Sequence, residues 1–366
     1  MRFEANTKPI TDGLDLGIIN SNITKFYQKS CIVELNIEED ALRVNTEVSS
    51  IKSELVFHGH TSNDDDNRHI FVDSLLFKNL LSSIDADTIT FDISDNTLTV
   101  YAGRSNFKLP QVIGESDIEL NRPTQLDAAE NLIEVDKSAW KFIQDYQMYA
   151  ISMSFLHPVY RLVWIGSSGN VIVGDYDNSI FTTSTKSQLP NTCLVEDTIV
   201  NLLNNVPEGS TLIPIGRNYE IKVDLDPYSY VCEFAPKLES DEGIGDYNSD
   251  IILDLFNHED GIHVNTDKLN VYLSQAELFS KANDDTIKLV CDNSSLSLVN
   301  QNVNCKVDTN NPFDPFEVSF NIKLLKDVFA HFDSNEIDIC PLVQDEQVSG
   351  IVAWTDNLST VLGGVD

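Results

Sequence analysis

Residues 70–110 read IFVDSLLFKNLLSSIDADTITFDISDNTLTVYAGRSNFKLP, and the same phrase returns twice in altered letters. At 193–234 it is CLVEDTIVNLLNNVPEGSTLIPIGRNYEIKVDLDPYSYVCEF, and at 318–362 VSFNIKLLKDVFAHFDSNEIDICPLVQDEQVSGIVAWTDNLSTVL. Each copy runs from a strand end through a polar cap into a short amphipathic helix. An acidic turn and two alternating strands follow. Asp73, Glu196 and Asn321 occupy one cap slot, 123 and 125 residues apart. A supersecondary unit that recurs at this interval predicts a tandem of three like domains. The expected boundaries are 1–123, 124–250 and 251–366.

Working outward, each domain has a first half of the same kind. IEVDKSAWKFIQDYQMYAISMSF (133–155) and IHVNTDKLNVYLSQAELFSKAND (262–284) read as strand, cap and amphipathic helix. Residues 1–22 occupy the same place in the first domain more weakly, because Gly13 and Gly17 interrupt the pattern. Alternating strands around acidic or Gly/Ser/Asn turns follow each, as in CIVELNIEEDALRVNT (31–46) and TIKLVCDNSSLSLVN (286–300). The predicted class is α+β, each domain packing two helices on antiparallel β-sheets. Residues 115–131 and 237–250 are polar, carry Gly or Pro, and read as linkers.

The 366 residues carry a formal net charge of −34, distributed as −9, −12 and −13 over the three segments. None is a basic module, which argues against a self-sufficient DNA-binding domain. The few basic residues are nevertheless sorted. The last segment has six, and Lys268, Lys281, Lys323 and Lys326 fall on or at the ends of its two predicted helices. Lys137 and Lys141 share the first helix of the middle segment. Such sorting makes the helix layer less repulsive to phosphate than the total suggests. No run approaches the roughly 18 apolar residues of a membrane span, and MRFEANTKPI has no apolar signal region. The expected compartment is the cytoplasm. The six cysteines have no zinc-like spacing and read as reduced core residues.

With its MRF opening, VDSLLFKNLLSSI followed by NTLTVYAGRSNFKLP, and FNIKLLKDVF before a two-strand end, the chain resembles the bacterial β sliding clamps of DNA polymerase. The specific words are confined to those stretches, while the layout matches throughout. The resemblance implies three clamp-like domains forming half of a ring, a homodimer around double-stranded DNA. It also implies docking of polymerase and clamp loader through short linear motifs, no catalysis and no cofactor. It suits a diverged member, of bacterial or phage origin.

On this reading Lys78, Lys137, Lys141, Lys268, Lys323 and Lys326 are DNA-facing channel residues, with Gln144 and Met148 on the same face. An ordinary solvated helix face is the competing explanation. The resemblance sets Phe107 and Leu109 in an edge strand that pairs with the partner copy, near that copy's Leu278 and Phe279; local core packing is the alternative. It further implies an apolar peptide pocket of Val159, Ile180, Asn321, Leu324, Val361 and Leu362, with plain core packing of the apolar ones as the alternative. The YDNSI turn (176–180) and the VLGGVD tail depart from the family's pattern there, which puts the docking motif in doubt.

His58, His60 and His69 flank NDDDN (63–67), but their spacing matches no structural zinc site and the loop lacks the Gly and Glu of a calcium loop. There is no phosphate-binding glycine loop and no nucleophile elbow, so no catalytic residue, metal or cofactor is expected. An acidic DNA mimic that occupies a nucleic-acid-binding partner is the main alternative, favoured by charge. It needs neither triplication nor sorted lysines.

Overall fold

All six helices that the repeat predicts form, each shortly after a strand. The computed structural model describes residues 2–17, 32–48, 50–62, 68–94, 96–112, 120–124, 131–153, 162–175, 179–238, 241, 249–258, 260–279, 285–309 and 311–365. The first half-repeat is β1 (Arg2–Asn6), α1 (Thr7–Gly17), β2 (Ile32–Glu38), β3 (Ala41–Val48) and β4 (Ile51–His58), with β5 (His60–Thr61) bridged to β1. The second is β6 (Arg68–Asp73), α2 (Ser74–Ser82), β7 (Thr88–Ser94), β8 (Thr97–Ala102) and β9 (Ser105–Pro110). The third is β10 (Ile133–Glu134), α3 (Lys137–Met153), β11 (Val163–Ile165), β12 (Asn170–Asp175) and β13 (Ser179–Ser184). The fourth is β14 (Cys193–Val195), α4 (Asp197–Asn205), β15 (Thr211–Ile215), β16 (Asn218–Leu225) and β17 (Tyr228–Phe234). A short α5 (Ser249–Asp254) precedes the fifth, β18 (Ile262–Asn265), α6 (Thr266–Phe279), β19 (Thr286–Asp292), β20 (Ser295–Val299) and β21 (Asn304–Asp308). The sixth is β22 (Phe316–Asn321), α7 (Ile322–Phe329), β23 (Glu336–Gln344), β24 (Gln347–Trp354) and β25 (Leu358–Gly363).

These residues gather into two compact units. One comprises Met1–Gln144, Lys186–Leu189 and Cys193–Leu238; the other comprises Asp145–Thr185, Pro190–Thr192 and Glu239–Asp366. Residues 124–250 thus contribute to both. The first unit holds a sheet ordered β5-β1-β7-β8-β9 and a larger one ordered β10-β15-β16-β17-β4-β3-β2-β6. In the second unit seven strands run β11-β12-β13-β25-β24-β23-β18, beside a sheet ordered β21-β20-β19-β22. The ladders within each unit are antiparallel among the described residues, as short alternating strands joined by tight turns dictate.

One joint occurs in each unit. β4, which ends a first half-repeat, pairs with β17, which ends a second half-repeat, from Ile51↔Phe234 to Phe57↔Tyr228. In the other unit β13 pairs with β25 in the same sense, with Ile180↔Val361 and Thr183↔Leu358. β9 and β21, the remaining strands of these two kinds, are each the outer strand of their sheet.

Helix α1 forms despite its glycines, and the joint explains why Gly13 is there. A Cβ at Gly13 would lie 2.6 Å from Phe57 on β4 and 3.4 Å from Tyr228 on β17, so the missing side chain lets the helix settle over the seam. Elsewhere the helices bury apolar stripes against the sheets: Phe77 of α2 meets Phe91 of β7 at 6.2 Å between ring centroids, and Tyr146 of α3 meets Phe181 of β13 at 3.7 Å.

Candidate functional site

The cap slot is where the repeat is most regular. Asp73 accepts the Leu76 backbone N–H at 2.8 Å and Asn321 accepts that of Leu324 at 3.1 Å. Asn265 does the same for Lys268 at 2.9 Å. Glu196 does not cap with its side chain; one methylene longer, it reaches Lys237 instead at 2.7 Å.

Five residues after Asp73, Glu196 and Asn321 stand Lys78, Asn201 and Lys326. Each joins the two helices of its repeat. Lys78 Nζ lies 3.0 Å from Asp15 of α1. Asn201 accepts from Gln144 of α3 at 2.7 Å, and the Gln144 carbonyl accepts from Asn204. Lys326 pairs with Glu277 of α6. This clip corrects three sequence expectations. Lys78 is only 7% exposed, because Ser74, Phe77, Lys78 and Leu81 form the buried stripe of α2. Lys326 is half-buried and already neutralised, and Gln144 is committed to α4. The row is present in the sequence five residues after each cap, but residue type alone puts a lysine at the surface.

The other helix cations are more accessible. Lys141, Lys268 and Lys323 are exposed and Lys137 is half-buried, and none has an ion pair among the described residues. Lys281 and the side chain of Met148 lie outside the described residues.

At the strand edges, Phe107 is 37% exposed but Leu109 is 2% exposed. Leu109 stands opposite Leu98 of β8, on the core side of the sheet, so it packs in its own unit and not on an open surface. Leu278 and Phe279, at the end of α6, are 82% and 59% exposed. The Phe279 carbonyl accepts from Asn302, in the turn that leads into β21.

Of the expected pocket residues, Ile180, Val361 and Leu362 divide between two faces of one sheet. Ile180 and Val361 are direct cross-strand neighbours. Their row continues through Val352 to Cys340. Leu255, Phe256, Phe313 and Trp354 pack against the Val361, Val352, Cys340 and Leu342 part of this row. Leu362 points the other way, toward the face that Phe181 and Ser179 present to Tyr146 of α3, and is fully buried. It is a core residue and cannot line a site with Val361. Asn321 caps α7, with Leu324 nearly buried one turn on. The Val365 N–H donates to Ser319 at 2.8 Å, which carries the end of the chain from β25 to the strand before that cap. Val159 and residues 176–178 lie outside the described residues.

Burial pushes the Cys193 and Cys232 thiols up to about 12 and those of Cys291 and Cys340 to about 11, which keeps them un-ionised at neutral pH. No group of three potential metal ligands occurs among the described residues. None of their helices is long and apolar enough to cross a membrane.

No protein-family model and no curated protein matches the chain. Solved structures do. The DNA polymerase III subunit beta from Pseudomonas aeruginosa matches with a TM-score of 0.71 at 15% identity, covering 100% of both chains. The DNA polymerase sliding clamp from Bacillus subtilis matches with a TM-score of 0.74 at 12% identity, over 100% of this chain and 99% of that one. The Helicobacter pylori beta clamp, solved bound to a DNA ligase peptide, matches at 0.69 and 14% identity over 100% of both. The chain has the fold of the bacterial β sliding clamps along its whole length.

Proposed function

We propose that this chain is a DNA sliding clamp: two copies close into a ring around duplex DNA and tether a polymerase to it. The observation that carries this reading is the joint made twice within the chain. β4 with β17 and β13 with β25 join the end of a first half-repeat to the end of a second. β9 and β21 are the same two kinds of strand, and each is an open edge. A second copy pairs β9 with β21 in both directions, covering the edges and making three domains per copy into a closed assembly.

Binding is topological. Lys137, Lys141, Lys268 and Lys323 supply weak, non-specific phosphate contacts, and no base-reading constellation is required. Lys78 and Lys326 serve the helix clips instead. The row that begins at Ile180 and Val361, with Asn321 and Leu324 nearby, receives short motifs of polymerase and clamp loader in extended form. The chain works in the cytoplasm, without catalysis or cofactor; a separate ATPase opens the ring.

The net charge of −34 favours a second reading, an acidic DNA mimic bound to a nucleic-acid-binding partner. The two part on DNA topology. Chains assembled in the presence of nicked circular DNA are expected to stay on the circle through a wash in about 1 M salt, where exposed charges are screened within a few ångströms, and to leave when it is linearised. Loss in the wash, or retention on linear ends, contradicts the clamp.

A further inference from the structure

The row that begins at Ile180 and Val361 is already covered. Ile180 and Val361 are each 6% exposed, Val352 is 1% and Cys340 3%, although the row stands on the sheet face turned away from α3. The chain supplies the cover itself. Leu255, Phe256, Phe313 and Trp354 pack against Val361, Val352, Cys340 and Leu342. His258 stacks on Trp354, with ring centroids 6.2 Å apart.

These covering residues are held in different ways. Trp354 belongs to β24. Phe313 follows Asn311, whose side chain donates to the Gly261 carbonyl at 2.7 Å and accepts the His263 N–H at 2.9 Å. The stretch that carries Leu255 and Phe256 is bonded only to its own neighbours among the described residues. The N–H groups of Leu255, Phe256 and Asn257 donate to Ile252, Leu253 and Asp254 at 3.1, 3.1 and 3.2 Å, and the His258 ring meets the Leu255 carbonyl at 2.9 Å. Its tie to the row is therefore side-chain contact and not strand pairing. Helix α5 ends at Asp254 and keeps Ile252 buried, so Leu255 and Phe256 can leave the row while α5 stays in place.

The first unit has the same arrangement with the opposite chemistry. One step in from the first pair of its joint, Lys52↔Glu233 stands where Ile180↔Val361 stands in the second unit. That row continues into Glu220 as the other continues into Val352. Residues 121–124, which lead toward the next repeat, are bonded to it by Asn121 on Glu47 and Thr124 on Glu233. Ionised acceptors make those bonds strong and directional. Residues 249–258 also lead into the next repeat, but their row is apolar and holds them by Leu255 and Phe256.

We propose that Leu255 and Phe256 are a built-in occupant of the apolar row, and that an extended motif docks there by displacing them. This rests on the reading of the row as a docking site and adds its regulation. The affinity seen by a motif is its intrinsic affinity reduced by the fraction of chains in which the row is open. A partner that engages weakly is thereby refused, whereas a tight one pushes the occupant aside.

A fluorescein-labelled peptide of residues 249–257, SDIILDLFN, is the probe, because it carries the side chains that the row already holds. Its affinity for the full chain is read by fluorescence anisotropy. Leu255→Ser with Phe256→Ser empties the row and is expected to bind the probe about tenfold or more tightly than wild type, as for an occupant seated in about nine chains of ten. Thermal melts verify that the variant folds. Hydrogen exchange of the wild type, followed by mass spectrometry with the probe in excess, needs no variant and is expected to show faster exchange at Leu255, Phe256 and Asn257. Equal affinity for both chains, or unchanged exchange at these amides with the probe bound, overturns the occupant and leaves the docking row standing. Binding to neither chain overturns the row and the occupant together. Retention on nicked circular DNA does not involve the row, so the ring is judged apart from all of these outcomes.

Discussion

Lys78 and Lys141 are both lysines on amphipathic helices, yet they do different work. Lys78 runs its stem along the buried stripe of α2 and ends on Asp15, whereas Lys141 stands in solvent. Lys78→Ala removes buried methylenes and an ion pair, and is expected to cost about 1–2 kcal/mol of stability in chemical denaturation. It should leave the salt dependence of DNA binding unchanged. Lys141→Ala should keep stability within about 0.5 kcal/mol and lower the slope of log affinity against log salt by about one. If both variants alter the slope equally, the division between clip and channel is wrong. The stripe Ser74, Phe77, Lys78, Leu81 was present in the sequence at helical spacing. The charged side chain of Lys78 disguises it, because lysine is rarely a buried residue. Leu362 is the mirror case: strand alternation alone puts it on the face opposite Val361.

Elements were the most legible scale, because caps and turns act locally. Asn321→Ala leaves the Leu324 N–H without its acceptor and is expected to cost about 1 kcal/mol, read by denaturant midpoint. Glu196→Ala removes no such bond, so its effect should track the loss of the Lys237 pair and fade in high salt. The β23–β24 hairpin turns on Asp345 and Glu346, with φ of 50° and 64°. That turn demands left-handed backbone at both positions. Glu346→Gly is therefore expected to stabilise by about 1 kcal/mol, and a loss of stability would contradict the turn geometry. Helix α1 was the element least legible in sequence. Gly13 lowers its propensity, and its compensation is packing against Phe57 and Tyr228, residues far along the chain. Tertiary contact of that kind leaves no local signal.

At the scale of the molecule, the triplicate phrase was enough to indicate the fold, but not how its parts are tied. Residues 121–124 are held on the larger sheet of the first unit by carboxylates. Glu47 accepts from Asn121, and Glu233 accepts from the backbone and hydroxyl of Thr124 at 3.0 and 2.6 Å. Burial pushes the Glu233 carboxyl up, yet hydrogen bonds from Thr124 and Asn218 and the nearby Lys52 outweigh it and hold it below the usual range. A lowered folded pKa means stability that is present above the ordinary carboxylate value, about 4.3, and is lost as pH falls through the folded value. Glu233→Gln should thus cost about 1–2 kcal/mol at pH 7, with the gap to wild type narrowing below about pH 4. A gap that does not change with pH would assign the effect to shape alone. None of this was legible in 115–131, which reads only as a polar linker, because its partners lie on strands distant in sequence. The open edges β9 and β21 carry the larger claim, that one joint used twice within the chain is used again between copies. Single-particle electron microscopy of the purified full chain tests it most directly. The expected particle is a two-copy ring with an open central channel and β9 of each copy beside β21 of the other; monomers, or a two-copy particle with no opening through it, would contradict the clamp.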